Sequence, residues 1–331
     1  MADESRLGAV SRVGTSVGTL ETAVPRPSDD SGDVLAVPLS PMRQAFIRFR
    51  RNRLAVASLI FLLALLVLTC IAQWLPLIDP TVPDPANTDA WPSAQHLLGT
   101  DGNGHDLFSA MIYGLRPAFV VGIVGAVVTT ILGVSMGLAA GFLSGWVDAL
   151  LSRFTDLMFA FPALVLALLC EELFTNSNSP VGNALGDQAR VIVMTVVFAL
   201  LGWPALMRFV RGLTLQYKEM QFVEAARALG LSNWGIVLRH LLPNTWGLVL
   251  VQATFTVGGF IYTEIVLSLL GLGVQVPTPD LGYLANQALA DLEINWVETV
   301  APSALLTLLI VAFAFLGDGL RDAFDPQTRE S

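Results

Sequence analysis

Long apolar runs alternate with polar and charged segments along this chain of 331 residues. A helix of about 20 apolar residues crosses a hydrocarbon layer about 30 Å thick, and each of six runs is about that long. The runs cover residues 54–74, 117–142, 149–170, 191–210, 246–270 and 300–317. This pattern predicts an all-α membrane protein with six transmembrane helices.

The segments outside the runs differ in character. Residues 1–40 are rich in Ser, Gly, Pro and Asp without a helical period, which predicts a disordered cytoplasmic tail. Residues 41–53 place Phe46 and Phe49 among arginines, as in basic amphipathic helices of the lipid headgroup layer. We therefore expect a transmembrane domain over 54–325, an outer loop at 75–115, a cytoplasmic loop at 211–245 and a C-terminal tail at 326–331.

Composition and charge refine this picture. Hydrophobic residues make up 54% of the chain and charged residues 14%, as expected for an integral membrane protein. If the spans alternate, only Arg116 and Arg190 among the basic residues near the spans fall on one side. Cytoplasmic segments carry the excess of Lys and Arg, so we predict that both termini and the 211–245 loop are cytoplasmic.

The 211–245 loop has clear helix signals. Strong helix formers occupy 221–229, Gly230 supplies a left-handed stop, and Ser232 or Asn233 can cap a second short helix. Pro243 is expected to end that second helix. The loop therefore reads as a helix, a glycine bend and a helix.

The order of residues in this loop resembles the loop that defines the permease subunits of bacterial ABC importers. The resemblance implies a coupling helix that docks into a cleft on the ATPase subunit. The sequence Arg239-His240-Leu-Leu-Pro243 resembles the version in dipeptide and oligopeptide importers, although His240 stands where the wider family has an aliphatic residue. The candidate ATPase-coupling residues are Glu224, Ala225, Ala226, Gly230, His240 and Pro243.

Other stretches resemble the same family, in its order: 98–116, 145–162, 268–279 and 316–326. The resemblance implies the type I ABC importer permease fold in the bacterial inner membrane. Implied partners are a homologous permease, two ATPase subunits that carry ATP and Mg, and an external solute-binding protein that delivers peptide substrate. This chain would carry no cofactor of its own.

A few charged residues have open interpretations. Glu264 lies deep in a span, where a lone carboxylate is costly, so we expect it either to line the translocation path or to make a structural hydrogen bond. Arg153 and Asp156 are spaced for an ion pair along one helix, which we favour over contact with substrate. Asp318 and Arg321 are expected either to pair with each other or to contact the ATPase.

Several chemistries have no sequence support. The single lysine, Lys218, has no glycine-rich phosphate loop before it, so the chain is not expected to bind ATP or to be an enzyme. The pattern Gly133-Val-Ser135-Met-Gly137 matches a hydrolase motif but lies in an apolar helix. No Cys/His cluster predicts a metal site, no basic-aromatic patch predicts nucleic-acid binding, and Cys70 and Cys170 are expected to be free thiols.

Two alternatives for function remain at this point. Family members also import nickel or glutathione, and no residue here selects among these cargoes and peptides. An ion-coupled secondary transporter is the alternative from another class, which needs ionisable groups at the membrane midplane. Glu264 is its main support.

Overall fold

The computed structural model describes residues 41–175, 179–273, 278–289 and 293–325. The helices there are α1 (Pro41–Arg51), α2 (Arg53–Ile71), α3 (Leu107–Phe119), α4 (Gly125–Leu143), α5 (Gly145–Ala160), α6 (Ala163–Thr175), α7 (Pro180–Leu185), α8 (Ala189–Tyr217), α9 (Gln221–Ala228), α10 (Asn233–Ile236), α11 (Leu242–Leu269), α12 (Leu281–Gln287) and α13 (Trp296–Phe324). Two π-helical turns, Val120–Val124 and Val237–Leu241, join α3 to α4 and α10 to α11. The predicted all-α class is confirmed.

Five continuous helical segments are long and apolar enough to cross a membrane, and a bent pair makes up to six. The five are Arg53–Trp74, Leu107–Leu143, Ala189–Tyr217, Asn233–Leu269 and Trp296–Phe324. The predicted third span is instead divided into α5 and α6, whose axes differ by 78°. The number of spans is therefore as predicted only if this bent pair counts as one span.

The break between α5 and α6 has a local cause. Phe161 has φ −92° and ψ 131°, the extended conformation that proline imposes on the residue before it. Pro162 also lacks the N–H that would continue the helix. Pro162 therefore interrupts this span.

The second span begins earlier than expected. Asp106 caps α3 by accepting the backbone N–H of Ser109 at 2.9 Å, and Pro117 lies inside the helix. The π turn that follows, Val120–Val124, accommodates the backbone irregularity. The outer loop therefore ends at residue 106 and not at 115.

Helices α4 and α8 pack closely on each other. A Cβ atom on Gly133, Gly137 or Gly141 would lie 2.8, 2.7 or 2.6 Å from side-chain atoms of α8. Such small residues at four-residue spacing allow helices to approach closely in lipid. The close approach holds for these three glycines, whereas a Cβ at Gly145, four residues further on, would meet no atom within 4 Å.

The ends of the bundle can be identified from packing contacts. The N-terminal part of α2 packs near Gly319 of α13, and the ring of Phe324 packs on Gly247 of α11. These lie at the same end as α9, which we call the loop end. At the other end, the far end, α12 packs on α3, where the backbone of Leu281 approaches Gly114.

Candidate functional site

The connection between α8 and α11 forms a compact turn of two helices. Gly230 has φ +78°, a conformation that favours glycine, and its N–H donates to the Arg227 carbonyl at 2.9 Å. The N–H of Leu231 donates to the Ala226 carbonyl at 3.2 Å, which completes a Schellman motif. Ser232 caps α10 by accepting the N–H of Gly235. The predicted order of helix, glycine bend and helix is confirmed.

The expected role of Pro243 is wrong. It lies in the first turn of α11, and α10 continues through the π turn Val237–Leu241 into that helix. The N–H of Leu242 donates to the Val237 carbonyl, five residues earlier, just before the proline that has no N–H to give. The second helix of the loop is therefore an extension of the fifth span.

One face of α9 is buried within the subunit. Val223 has no exposed surface and Ala226 is 4% exposed, and both pack in an apolar cluster with Val210, Ile236 and Leu241. Ala226 therefore supports the loop from inside, which differs from the contact with a partner implied by the resemblance. Ala225 and Glu224 lie on the exposed face.

The exposed face carries an apolar tip that the sequence interpretation missed. The tip consists of Leu229, at the end of α9, with Trp234 and Leu238 from the helix that follows, which are 81%, 62% and 56% exposed. The exposure of these three side chains depends on which other residues of the loop are buried, so the sequence around each of them does not predict it. His240 is half-buried, and its carbonyl accepts a hydrogen bond from the Asn244 side chain at 2.6 Å.

Ion pairs fasten α5 to α8 beside this loop. Arg211 donates to both carboxylate oxygens of Asp148, at 2.5 and 2.8 Å. Lys218 donates to the Ser144 hydroxyl at 2.9 Å. The Arg227 guanidinium lies 5.7 Å from the centre of the Phe142 ring, over its face. These contacts connect the loop to the adjacent ends of α4, α5 and α8, at the loop end.

Asp156 has two cationic neighbours. Arg153 lies 3.9 Å away along the same helix, and its side chain is 87% exposed. Arg208, on α8, lies 2.5 Å away, and its guanidinium covers the Phe159 ring at 4.3 Å. The predicted pair is present, but the contact with Arg208 is the shorter one and joins two helices.

The C-terminal signature lies at the same end. Asp318 and Arg321 are exposed, and over 41–175, 179–273, 278–289 and 293–325 neither makes an ion pair within 4.0 Å. Arg48 of α1 donates to the Asp325 carbonyl at 3.0 Å, which joins the first and last helices. Contact of Asp318 and Arg321 with an ATPase stays a prediction.

Glu264 lies inside the subunit, with no exposed surface. Ser268 donates its hydroxyl to Glu264 Oε1 at 3.1 Å, and the carboxyl of Asp280 lies within hydrogen-bonding range. Arg190 lies nearby, 3.4 Å from Glu171 and 2.9 Å from the Gly273 carbonyl. Structural hydrogen bonding of Glu264 is therefore present, whereas a position along the translocation path stays a prediction.

The outer loop is held in shape by histidine–aspartate contacts. His96 Nδ1 lies 2.9 Å from Asp106, and His105 Nδ1 lies 2.9 Å from Asp101. Asp101 also accepts the backbone N–H groups of Asn103 and His105. Hydrogen bonds from Asn87 and Ala86 lower the pKa of the Asp84 carboxyl. In the described part of the chain, no three His, Cys, Asp or Glu side chains are grouped to hold a metal ion.

Comparison with known proteins places the chain. Residues 133–330 match the family described as "binding-protein-dependent transport system inner membrane component". Residues 40–95 match the "N-terminal TM domain of oligopeptide transport permease C".

Among similar proteins are the glutathione transport system permease proteins GsiD of Escherichia coli (strain 536), Shigella boydii and Pectobacterium atrosepticum. Each is 36% identical over 291 residues, which cover 88% of this chain and 92% of the relative. The inward-facing MetNI methionine ABC transporter aligns with a TM-score of 0.49 and 23% identity, over 66% of this chain and 95% of that one. By its match to the family and its similarity to these permeases, the chain belongs to the binding-protein-dependent transport system inner membrane components, and it is a multi-pass ABC importer permease of the bacterial inner membrane.

Proposed function

We propose that this chain imports short peptides as one of two homologous permeases that form a single translocation path. Two ATPase subunits would carry ATP and Mg²⁺, and an external solute-binding protein would deliver the cargo. The family assignment supports this arrangement, and it replaces the alternative of an ion-coupled secondary transporter. The match of residues 40–95 to an oligopeptide permease supports a peptide cargo.

The observation that carries the coupling role is the exposed apolar tip of the loop. Leu229 is 81% exposed at a bend whose other face is fixed in the apolar core. A rigid loop that exposes large apolar side chains fits a cleft on a partner, because burying them there is favourable and little ordering is required. The loop end would then face the cytoplasm, as the distribution of Lys and Arg predicts.

Motion of the ATPase subunits would reach the spans through this loop. Val223 and Ala226 pack against the α8 residue Val210, and Asp148 ties α5 to α8 through Arg211. A displacement of the tip would therefore move α4, α5 and α8 together. ATP binding would favour one orientation of the spans only if the ATPase binds the loop with a different affinity in each of the two orientations.

Glutathione is the first individual cargo to test. The relatives named above are glutathione permeases, and glutathione is itself a tripeptide, so both observations about cargo agree on a short peptide-like molecule. Nickel is the remaining alternative from the sequence, and it is a separate arm of the test.

The decisive experiment is purification of this subunit from its native membrane in mild detergent, with identification of every co-purifying chain. We expect a second permease and ATPase subunits. The complex is then reconstituted with its binding protein, and ATP-dependent uptake of tripeptide, glutathione and nickel is measured. Recovery of the subunit without an ATPase would refute the assembly, and uptake of nickel alone would refute the peptide cargo.

A further inference from the structure

Two carboxyl groups are buried together at the far end of the bundle. Glu264 of α11 and Asp280, the residue that caps α12, have no exposed surface. Their carboxyls lie within hydrogen-bonding range of each other. Two ionised carboxylates in contact at a buried site repel strongly, so such a pair requires a cation or a proton between them.

The hydrogen bonds around the pair leave one oxygen of each carboxyl unsatisfied. Glu264 Oε1 accepts from Ser268 at 3.1 Å, and Asp280 Oδ1 accepts the N–H of Tyr283 at 2.8 Å. Glu264 Oε2 and Asp280 Oδ2 are buried and have no donor among the described residues. A proton on one of these two atoms makes it a donor to the other and satisfies both.

The proton belongs on Glu264. Asp280 accepts the backbone N–H groups of Tyr283 and Gly282, which stabilise its ionised form, whereas the Ser268 hydroxyl lies near both carboxyls and does not distinguish them. The pair then carries one negative charge and one proton, with Glu264 as the donor.

The charged groups that face the pair from neighbouring helices do not neutralise it. Glu171 of α6 adds negative charge near Glu264. Arg190 of α8 is directed to Glu171, at 3.4 Å, and to the Gly273 carbonyl, at 2.9 Å. Within the part of the chain that the structure describes, the nearby cation is thus bound elsewhere, and a proton is the simplest ligand for the pair.

A cavity lies between Asp280 and the outer loop. It has a volume of about 290 Å³, and Asp280 forms part of its wall together with Tyr283, Gln287, Asp101 and His105. The lining is partly polar and partly apolar, and this volume accommodates several water molecules. The His105 side chain is 23% exposed and lies 2.9 Å from Asp101, so a partly exposed side chain forms part of the cavity wall.

We propose that Glu264 and Asp280 form a proton-binding site that exchanges one proton with the medium at the far end and fastens α12 to α11 while the proton is bound. Loss of the proton leaves two carboxylates in contact, and their repulsion separates the two helices. The proposal goes beyond the transport role and does not depend on the cargo.

The bound proton is tested by infrared difference spectroscopy on the complete complex in lipid nanodiscs. We expect the carbonyl absorption of a protonated carboxylic acid at neutral pH, lost in Glu264→Gln and in Asp280→Asn. Glu298→Gln is the matched control, because Glu298 is a buried carboxyl outside the pair, 2% exposed. Glu298→Gln is expected to keep the carbonyl absorption that the other two variants lose. Retention of this absorption in Glu264→Gln or in Asp280→Asn would overturn the proposal.

The mechanical consequence is tested by hydrogen exchange in α12 as pH is raised. Linkage to one proton predicts that opening of α12 increases about tenfold per pH unit once the site deprotonates, after correction for intrinsic exchange. In Glu264→Gln the amide donates to Asp280 at every pH, so the corrected exchange is constant. If the corrected exchange of α12 rose equally with pH in the wild type and in Glu264→Gln, the coupling between the proton and the opening of α12 would be refuted, whatever the outcome of the uptake assays.

Discussion

The two ends of the bundle place charged groups in opposite ways. At the loop end, Asp148 and Asp156 each contact an arginine of α8, so opposite charges join the helices. At the far end, Glu264 and Asp280 bring like groups together in a fully buried site. Opposite charges hold one geometry over a wide pH range, whereas a carboxyl pair holds its geometry only with a proton. The loop end is therefore suited to transmit force and the far end to respond to its medium.

The largest expected effect comes from the exposed tip at the loop end. Leu229→Asp places a charge at the centre of the proposed docking surface, and we expect a loss of about 2 kcal/mol or more in ATPase binding, about 30-fold in affinity. The measurement is titration of ATPase subunits onto the permease in nanodiscs, with ATP-driven uptake in parallel.

The matched control for the tip is Leu289→Asp, because Leu289 is 57% exposed at the far end. It is expected to leave ATPase binding unchanged. Equal losses of ATPase affinity in the two variants would show that the effect is not specific to the tip. Unchanged binding in Leu229→Asp would remove the basis for the coupling role.

The helix contact that supports the loop can be loosened directly. In Gly137→Ala the new Cβ would lie 2.7 Å from Val210 Cβ and 2.8 Å from the Met207 carbonyl oxygen. Overpacking of this kind destabilises by about 1–3 kcal/mol. Reversible unfolding in detergent measures the change in the free energy of unfolding.

Gly212→Ala on the same helix pair is the control, because a Cβ at Gly212 meets no atom within 4 Å. Alanine is the better helix former there, so this variant is expected to be more stable by about 0.5–1 kcal/mol. A change of the same sign in the free energy of unfolding of Gly137→Ala and Gly212→Ala would contradict the close approach of α4 and α8.

The ion pairs at the loop end provide a smaller contrast. Asp148→Asn removes the charge that Arg211 contacts with two hydrogen bonds, and we expect a loss of about 1.5 kcal/mol in the free energy of unfolding. Arg153→Ala removes a guanidinium that is 87% exposed and 3.9 Å from Asp156, and we expect less than about 0.5 kcal/mol. Chemical denaturation of both variants under the same conditions checks the order, and a larger loss for Arg153→Ala would reverse the ranking of these pairs.

Local features of the loop end were predictable from sequence, and tertiary ones were not. Gly230 and Ser232 obey rules of helix ending and capping that depend on a few neighbouring residues, and the structure confirms both. The position of Pro243 was not predictable in this way, because a proline near the start of a helix and one beyond its end look alike in sequence, and the π turn before Pro243 leaves no local signal. The exposure of Leu229 depends on which face of α9 packs against the core, and this is decided by tertiary structure.

The far end was less predictable, for a related reason. Glu264 was recognised as costly, but its partner Asp280 is 16 residues away and separated by a turn, and no periodicity relates the two. Asp156 shows the same limit at the loop end, since its closer partner Arg208 lies on a different helix. Sequence patterns thus locate the charged groups, and folding decides which of them meet.

The smallest expected effect concerns two aspartates of the outer loop, Asp79 and Asp84. Hydrogen bonds from Asn87 and Ala86 lower the pKa of Asp84, and those from Thr81 lower the pKa of Asp79. A lowered folded-state pKa means that the stabilisation is present above the ordinary carboxyl pKa of 3.8 and is lost as pH falls through the folded-state pKa. We expect exchange at the Thr81 and Ala86 amides, corrected for intrinsic rates, to increase below about pH 4, opposite in sign to the alkaline opening of α12. Asp84→Asn keeps an acceptor without a titration and is expected to remove this dependence at Ala86 alone. If instead both segments loosened in the same direction of pH, the contrast between exposed hydrogen-bonded carboxylates and the buried carboxyl pair would fail.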